Sequence, residues 1–262
     1  MRLLFLGDVF GKAGRRAVEE LAPVVQREEA IDVTVINAEN VAGGSGLTPK
    51  DAEALLQHAQ LLTSGNHVWS KREIVPVLED PRGRVLRPMN YPPGAPGRGF
   101  TIVEHGPHRL GVVNVEGRIF MKPLDDPFRA VDEAIDALHA EGVRCLLVDM
   151  HAEATSEKWA MGRYCDGRAS AVIGTHSHVQ TADERVLPNG TAFLTDAGMC
   201  GPFDSIIGMK VDGALQRMLS QRPAKMEPAD GDVWLQGAVV DIDEETGRAR
   251  SISRVRRHLD GT

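Results

Sequence analysis

The chain has 262 residues, 42% apolar and 5% aromatic, with 30 Lys and Arg against 37 Asp and Glu, a net charge of −7 at pH 7. That length and apolar content allow a sizeable buried core and argue against global disorder. An acidic chain poor in aromatics lacks the basic field and stacking surface that long nucleic acids need. No apolar run approaches the roughly 18 residues of a membrane span, so neither partner is expected.

The first apolar run, Leu3–Leu6, is too short for a signal peptide. It opens a series of short apolar runs, continued by Val33–Ile36, Leu61–Thr63, Cys145–Val148 and Ala171–Ile173. Between them the pattern predicts helices at Gly14–Glu28, Pro49–Ala59, Lys71–Leu78, Pro127–Ala140 and Ser156–Tyr164, the second with Thr48 as N-cap and Pro49 at its first position. This alternation builds a largely parallel sheet covered by helices. Hairpin patterns at Phe100–Val115 around Gly106-Pro107, Glu184–Leu194 around Asn189-Gly190 and Val233–Val255 around Thr246-Gly247 add antiparallel edges. The Pro/Gly-rich stretch Tyr91–Gly99 lies between strands of one unit, so the expectation is a single α/β domain over 1–262. Cys145, Cys165 and Cys200 stand far apart with no C-x-x-C pair, which predicts neither disulfides nor a cysteine zinc site and fits a reducing cytoplasm.

Nearly every early strand ends in metal-type residues: Gly7-Asp8, then Glu39-Asn40, Gly65-Asn66-His67, Asp149-Met150-His151 and Gly174-Thr175-His176-Ser177-His178. Ligands of open α/β sheets gather at the carboxyl ends of strands. Taken singly, an Asp after a strand is a helix cap or turn residue; the joint pattern points to a site. If the chain is extended there, His176 and His178 face one side about 7 Å apart and reach two neighbouring metals about 3.5–4 Å apart, one each.

These residues resemble the calcineurin-like metallophosphoesterases, whose motifs run G-D, a bridging acid, G-N-H, a lone His and G-H-x-H. The runs GDVFGKAGR, NAENVAGGSGLT, SGNHVW, DMHAEATSEK, GTHSHVQTAD and TDAGMCGP are similar, along essentially the whole chain, to the YmdB-type branch. Two departures from the wider superfamily stand out: Phe10 replaces the second ligand of D-x-H, and Glu39 replaces the bridging Asp, with Asn40 as the substitute for the missing histidine. The resemblance implies a sandwich of mixed β-sheets flanked by α-helices. It also implies that Asp8, Glu39, Asn40 and His178 hold one metal and Glu39, Asn66, His151 and His176 the other, with Glu39 bridging. Oxygen donors mixed with imidazole suit iron or manganese, or else zinc. With a bridging hydroxide the pair would carry about +1, enough to attract a phosphate anion within an acidic chain, and the hydroxide would attack phosphorus in line.

His67 is not needed as a ligand and is assigned as general acid. Gly43 and Gly44 are candidates for cradling a phosphate or sugar, or else form a plain connection into a helix; Lys12 and Arg15 are candidate phosphate contacts or solvated charges. Glu153 and Asp196 are candidate orienting carboxylates, and Cys200 reads as a buried thiol rather than a nucleophile. His58, His105, His108, His139 and His258 read as surface residues, and Trp69, Trp159 and Tyr164 as core residues or base-stacking surfaces.

Residues alone support phosphoester hydrolysis. The YmdB-type resemblance implies a cyclic nucleotide phosphodiesterase, with 2′,3′-cyclic nucleoside monophosphates as the substrate. The alternatives are a phosphomonoesterase with the same centre and a regulatory protein that binds a nucleotide or a partner with little turnover. A homo-oligomer is compatible with the hairpins and the C-terminal segment.

Overall fold

The computed structural model describes residues 1–259. In chain order the elements are β1 (Arg2–Leu6), β2 (Asp8–Val9), α1 (Gly11–Glu28), β3 (Val33–Asn37), α2 (Pro49–Leu55), β4 (Leu61–Thr63), α3 (Val75–Leu78), β5 (Phe100–His105) and β6 (His108–Glu116). They continue with α4 (Pro127–Ala140), β7 (Cys145–His151), α5 (Thr155–Tyr164), β8 (Ala171–Thr175), β9 (Arg185–Val186), β10 (Ala192–Leu194), β11 (Met199–Pro202), α6 (Val211–Ser220), β12 (Val233–Ile242) and β13 (Ala249–His258).

Two mixed sheets face each other. One runs β2-β11-β12-β1-β3-β4 with β13 on the far side of β12; the other runs β5-β6-β7-β8-β10-β9. The pleat explains the layering, because alternate side chains of one strand leave by opposite faces. Leu3 and Phe5 of β1 enter the core between the sheets, where they meet Cys145 and Leu147 of β7 and Ala171 and Ile173 of β8. Leu4 and Leu6 point the other way, onto Ala17, Val18 and Val25 of α1. On the second sheet Leu146, Val148 and Val172 likewise turn outward, onto Val131, Ile135 and Leu138 of α4. The result is a helix–sheet–sheet–helix sandwich, as the family resemblance implies, where the strand and helix patterning alone points to one largely parallel sheet covered by helices.

The three expected hairpins form: His105 pairs with His108 across the first turn, Arg185 with Phe193 in the second, and β12 with β13 in the third. Helix boundaries differ. α1 starts at Gly11, earlier than Gly14, because the Gly11 N–H donates to the distant Asn40 carbonyl at 3.0 Å and starts the helix without a side-chain cap. α2 stops at Leu55, because Gln57 and His58 tighten into bonds onto carbonyls three residues back. Lys71–Leu78 divides into a 3-10 turn at Arg72–Ile74 and α3. The pairing of β2 with β11 and the helix α6 carry too few residues or too weak a signal to be read in advance.

β1, β3 and β4 run parallel in one sheet, and β6, β7 and β8 in the other. Their carboxyl ends meet at one edge of the sandwich, where a buried polar knot ties the sheets together. Asp149 of β7 accepts hydrogen bonds from Thr63 of β4 (2.5 Å), Asn37 of β3 (2.9 Å) and Thr175 of β8 (2.7 Å). All four residues are buried, and burial pushes the Asp149 carboxyl up to about 6 against the pull of these bonds.

Candidate metal centre

Above this knot the strand-end residues converge. Asp8 lies on β2, Glu39 and Asn40 just past β3, Asn66 and His67 past β4, His151 at the end of β7, and His176 and His178 past β8. All seven candidate ligands named from the sequence come together. Donor atoms of Glu39, His151 and His176 form one group within 4.8 Å of one another, and those of Asp8, Glu39 and His178 form a second, so Glu39 belongs to both.

In the first group, three atoms crowd around Nε2 of His151: Oδ1 of Asn66 at 2.9 Å, Nδ1 of His176 at 3.1 Å and Oε1 of Glu39 at 3.3 Å. Such edges are those of donors sharing one ion at about 2.0–2.2 Å. In the second group Oδ1 of Asp8, fully buried, has no hydrogen-bond partner and stands 3.9 Å from Nε2 of His178. Its other oxygen accepts the His176 backbone N–H at 3.1 Å. A buried carboxylate oxygen with no donor is costly unless a cation satisfies it, so the residues fit a pair of positive ions.

Each imidazole is turned so that one nitrogen faces the centre, because the other is tied down. His151 donates from Nδ1 to Thr175 Oγ1 (2.9 Å), His178 from Nδ1 to the Ile207 carbonyl (2.9 Å), and His176 faces the Glu153 carboxylate through Nε2 (3.1 Å). Such outward partners fix tautomer and ring orientation in metal sites. The electrostatics agree with this. Burial works against charge on Glu39, yet His151 and His67 hold its carboxyl well below the usual range. Burial likewise opposes charge on His151, but Glu39 and Asp8 keep it protonated up to about 9; His176, half-buried and beside that charge, falls to about 3. Burial raises the Asp8 carboxyl.

The geometry departs from expectation at His176 and His178. Their φ angles are +95° and +65°, so left-handed backbone rather than strand alternation aims the two rings. Asp196 steadies this turn, accepting the Ser177 N–H and hydroxyl and an ammonium hydrogen of buried Lys158 at 2.6 Å. Asn40 lies beside the second group, but its amide nitrogen faces Glu39 Oε1 (2.9 Å) and His178 Nε2 (3.0 Å), while its oxygen accepts from His67 Nδ1 (2.9 Å). A half-turn about Cβ–Cγ would exchange amide oxygen and nitrogen in place. Phe10 packs edge-on against the candidate ligand His178, ring centroids 5.6 Å apart.

His67, 39% exposed, is anchored through Nδ1 and its backbone N–H, which donates to Glu39 Oε2 at 3.1 Å; this leaves Nε2 on the outer edge of the ring. Gly65 explains itself by space: a Cβ there would lie 2.2 Å from His151 Nε2 and 2.5 Å from Glu39 Oε2.

Other expectations need correction. The N–H groups of Gly43 and Gly44 donate to the Val41 and Asn40 carbonyls, both at 3.0 Å, so they are not free to cradle phosphate; Gly44 instead makes room for the Phe10 ring. Arg15 is engaged by Asp51 and Glu19. Trp159 packs on Phe193 and Tyr164 bonds Asp132, while Trp69 meets Tyr91. His58, His108 and His258 are half-buried rather than exposed. Cys200 is a buried thiol facing the Gln236 carbonyl, with burial pushing it up to about 12, as its reading as an inert thiol anticipates. Sequence reasoning missed the Asn37–Thr63–Asp149–Thr175 knot and the Ile207 carbonyl.

Comparison with known proteins gives a consistent picture. The chain is 48% identical over 256 residues to a 2′,3′-cyclic-nucleotide 2′-phosphodiesterase of Bacillus subtilis, covering 97% of this chain and 96% of that one. The crystal structure of a hypothetical protein from Thermus thermophilus superposes with a TM-score of 0.92 at 44% identity, covering 98% of this chain and 99% of that one. A structure described as a novel phosphatase from Mycoplasma pneumoniae gives 0.92 at 30% identity, covering 100% and 94%. The model of the YmdB-like protein family matches residues 4–255, and the chain belongs to that family.

Proposed function

We propose that the chain is a metal-dependent phosphodiesterase that opens 2′,3′-cyclic nucleoside monophosphates at the 2′ ester. The observation that carries the reading is the pair of donor groups sharing Glu39, with Asp8 Oδ1 buried and bare. The 48% identity to a relative named for that activity supports the substrate. In this reading Asp8, Glu39, Asn40 and His178 hold one divalent ion and Glu39, Asn66, His151 and His176 the other. Carboxylate, amide and imidazole donors without thiolate favour iron or manganese. Bound ions supply Lewis-acid charge that draws in the phosphodiester anion and makes water acidic enough to serve as nucleophile near neutral pH.

The protein's own part is positioning and proton transfer. Thr175, Glu153 and the Ile207 carbonyl hold the three imidazoles in register, and Asn40 holds His67 so that Nε2 can give a proton to the departing 2′ oxygen. A diester monoanion suits the charge at hand better than a monoester dianion. Of the nearby cations, Arg15 is engaged by Asp51 and Lys158 by Asp196. Three buried free cysteines accord with a cytoplasmic setting.

The test combines elemental analysis with turnover of 2′,3′- and 3′,5′-cyclic nucleotides. We expect two ions per chain, preference for the 2′,3′ esters, and a His67→Ala variant that keeps both ions yet loses about 10²–10⁴-fold in rate. Tight nucleotide binding with no product above the solution rate would make the protein a binding module instead.

A further inference from the structure

Among the described residues seven non-glycine positions have positive φ, and two of them, Phe120 (+62°) and Ile207 (+45°), flank the candidate centre whose His176 and His178 are two more. Left-handed backbone is costly for any residue with a Cβ, most of all for a β-branched one, and such strain concentrates where function demands it. Phe120 is 88% exposed and Ile207 53% exposed, and neither side chain joins a hydrophobic core.

Their loops are bound to different residues of the centre. The segment carrying Phe120 leaves β6 with the Gly117 N–H donating to the His151 carbonyl at 2.9 Å. The Glu157 carboxylate accepts the N–H groups of Arg118 (3.0 Å) and Ile119 (3.2 Å). Met121 Sδ accepts from the Glu153 N–H, whose own carboxylate faces His176. In the second loop the Ile207 carbonyl receives His178 Nδ1–H, and the Ser205 hydroxyl accepts the Gly208 N–H at 2.9 Å. An aromatic ring and an aliphatic chain are therefore displayed to solvent, one on a loop tied to the backbone of His151 and Glu153, the other on a loop whose carbonyl holds the His178 imidazole.

We propose that Phe120 and Ile207 are the apolar surfaces that receive the nucleobase while the phosphodiester lies at the centre, Phe120 by stacking and Ile207 by a smaller apolar contact. This rests on the phosphodiesterase reading above. It supplies what that reading lacks, a surface for the part of the substrate that does not react. A π-face is shared by every base, so the contact raises affinity for nucleotides over base-less esters without choosing among bases.

The test uses the full-length, metal-loaded protein with 2′,3′-cyclic AMP and with methyl β-D-ribofuranoside 2′,3′-cyclic phosphate, which lacks a base. Calorimetric binding of adenosine 3′-monophosphate adds a readout that needs no turnover. Phe120→Ala is expected to lower the ratio of kcat/KM for nucleotide over base-less ester roughly tenfold, chiefly through KM, and to weaken adenosine 3′-monophosphate binding by a similar factor. Phe120→Tyr restores both, and Ile207→Ala, which keeps the carbonyl, gives a smaller loss of the same selective kind. Equal losses on both esters, or no loss on either with binding unchanged, overturn the proposal while leaving the hydrolytic activity standing. Should the unsubstituted protein hydrolyse neither ester while Phe120→Ala still weakens nucleotide binding, the activity reading fails and the base contact stands.

Discussion

Replacing Gly65 with alanine isolates a close approach made directly onto the candidate donor atoms. The added methyl would sit 2.2 Å from Nε2 and 2.3 Å from Cδ2 of His151, and 2.5 Å from Oε2 of Glu39. Comfortable separations begin near about 3.5 Å, so these groups must retreat by roughly 1 Å. Gly65 itself is not left-handed, so the penalty is steric and falls on the atoms of the donor group. Overpacking of this kind costs about 1–3 kcal/mol of stability, which the fold can survive. Ion coordination tolerates only about 0.2 Å and catalysis loses about 10²-fold for 1 Å, which the centre cannot. We therefore expect Gly65→Ala to fold, with a modestly lowered Tm, to lose at least one ion by elemental analysis, and to fall by about 10²-fold or more in turnover. Gly43→Ala is the control: nothing lies within 4 Å of its new methyl, but its φ is +70°, so it carries about 1–2 kcal/mol of backbone strain and keeps both ions. A Gly65→Ala protein with two ions and the unsubstituted rate would refute the reasoning, since the donors would then not need the space the glycine leaves.

Thr175→Val removes the hydroxyl between His151 Nδ1 and Asp149 Oδ1 while keeping its shape, leaving those two atoms buried without that partner, while Asp149 Oδ2 keeps its bonds from Thr63 and Asn37. Competition with a chromophoric chelator should report a loss of metal affinity of about 10–100-fold; unchanged affinity would deny Thr175 its orienting role. Burial holds the Cys145 thiol near 11 and those of Cys165 and Cys200 near 12, so fewer than about one in a thousand is ionised at pH 8 and a thiol reagent should titrate three cysteines only after denaturation. A fast-reacting thiol in the folded protein contradicts that burial.

Much of the centre is legible in the sequence because parallel strands deliver their terminal residues to one edge. Asp8, Glu39, Asn66, His151 and His176 each follow an apolar run, and five such endings in one chain leave few arrangements besides convergence. What stays hidden depends on partners distant in the chain or on backbone atoms. Asp149 meets Asn37 and Thr63 across two sheets, at separations of 112 and 86 residues, and no local pattern announces that knot. The acceptor for His178 is a carbonyl, which every residue possesses. Gly43 and Gly44 mislead for the same reason: their composition suggests free amides, while the folded loop spends those amides on Val41 and Asn40. His176 and His178 fall in separate donor groups, but through a left-handed turn rather than the strand alternation expected of them.

The proton on His151 connects electrostatics to ion binding. In protein stripped of metal, Glu39 and Asp8 outweigh burial and hold this imidazole protonated up to about 9, against an ordinary value of 6.5. The stabilisation from that shift is full below about pH 6.5 and is lost as pH rises through about 9. At Nε2 the proton occupies the point where Asn66, His176 and Glu39 converge, so an ion held by those donors must displace it. Loading the stripped protein at pH 7.5 should therefore release close to one proton per chain from His151, and metal affinity should climb with pH until about 9. Calorimetry in buffers of different ionisation enthalpy reads the proton count directly. His151→Gln should lower the count by about one, even where it also weakens the ion. Binding that releases no proton at pH 7.5 would mean that His151 keeps Nε2–H in the loaded protein, and it would remove His151 from the proposed donor set.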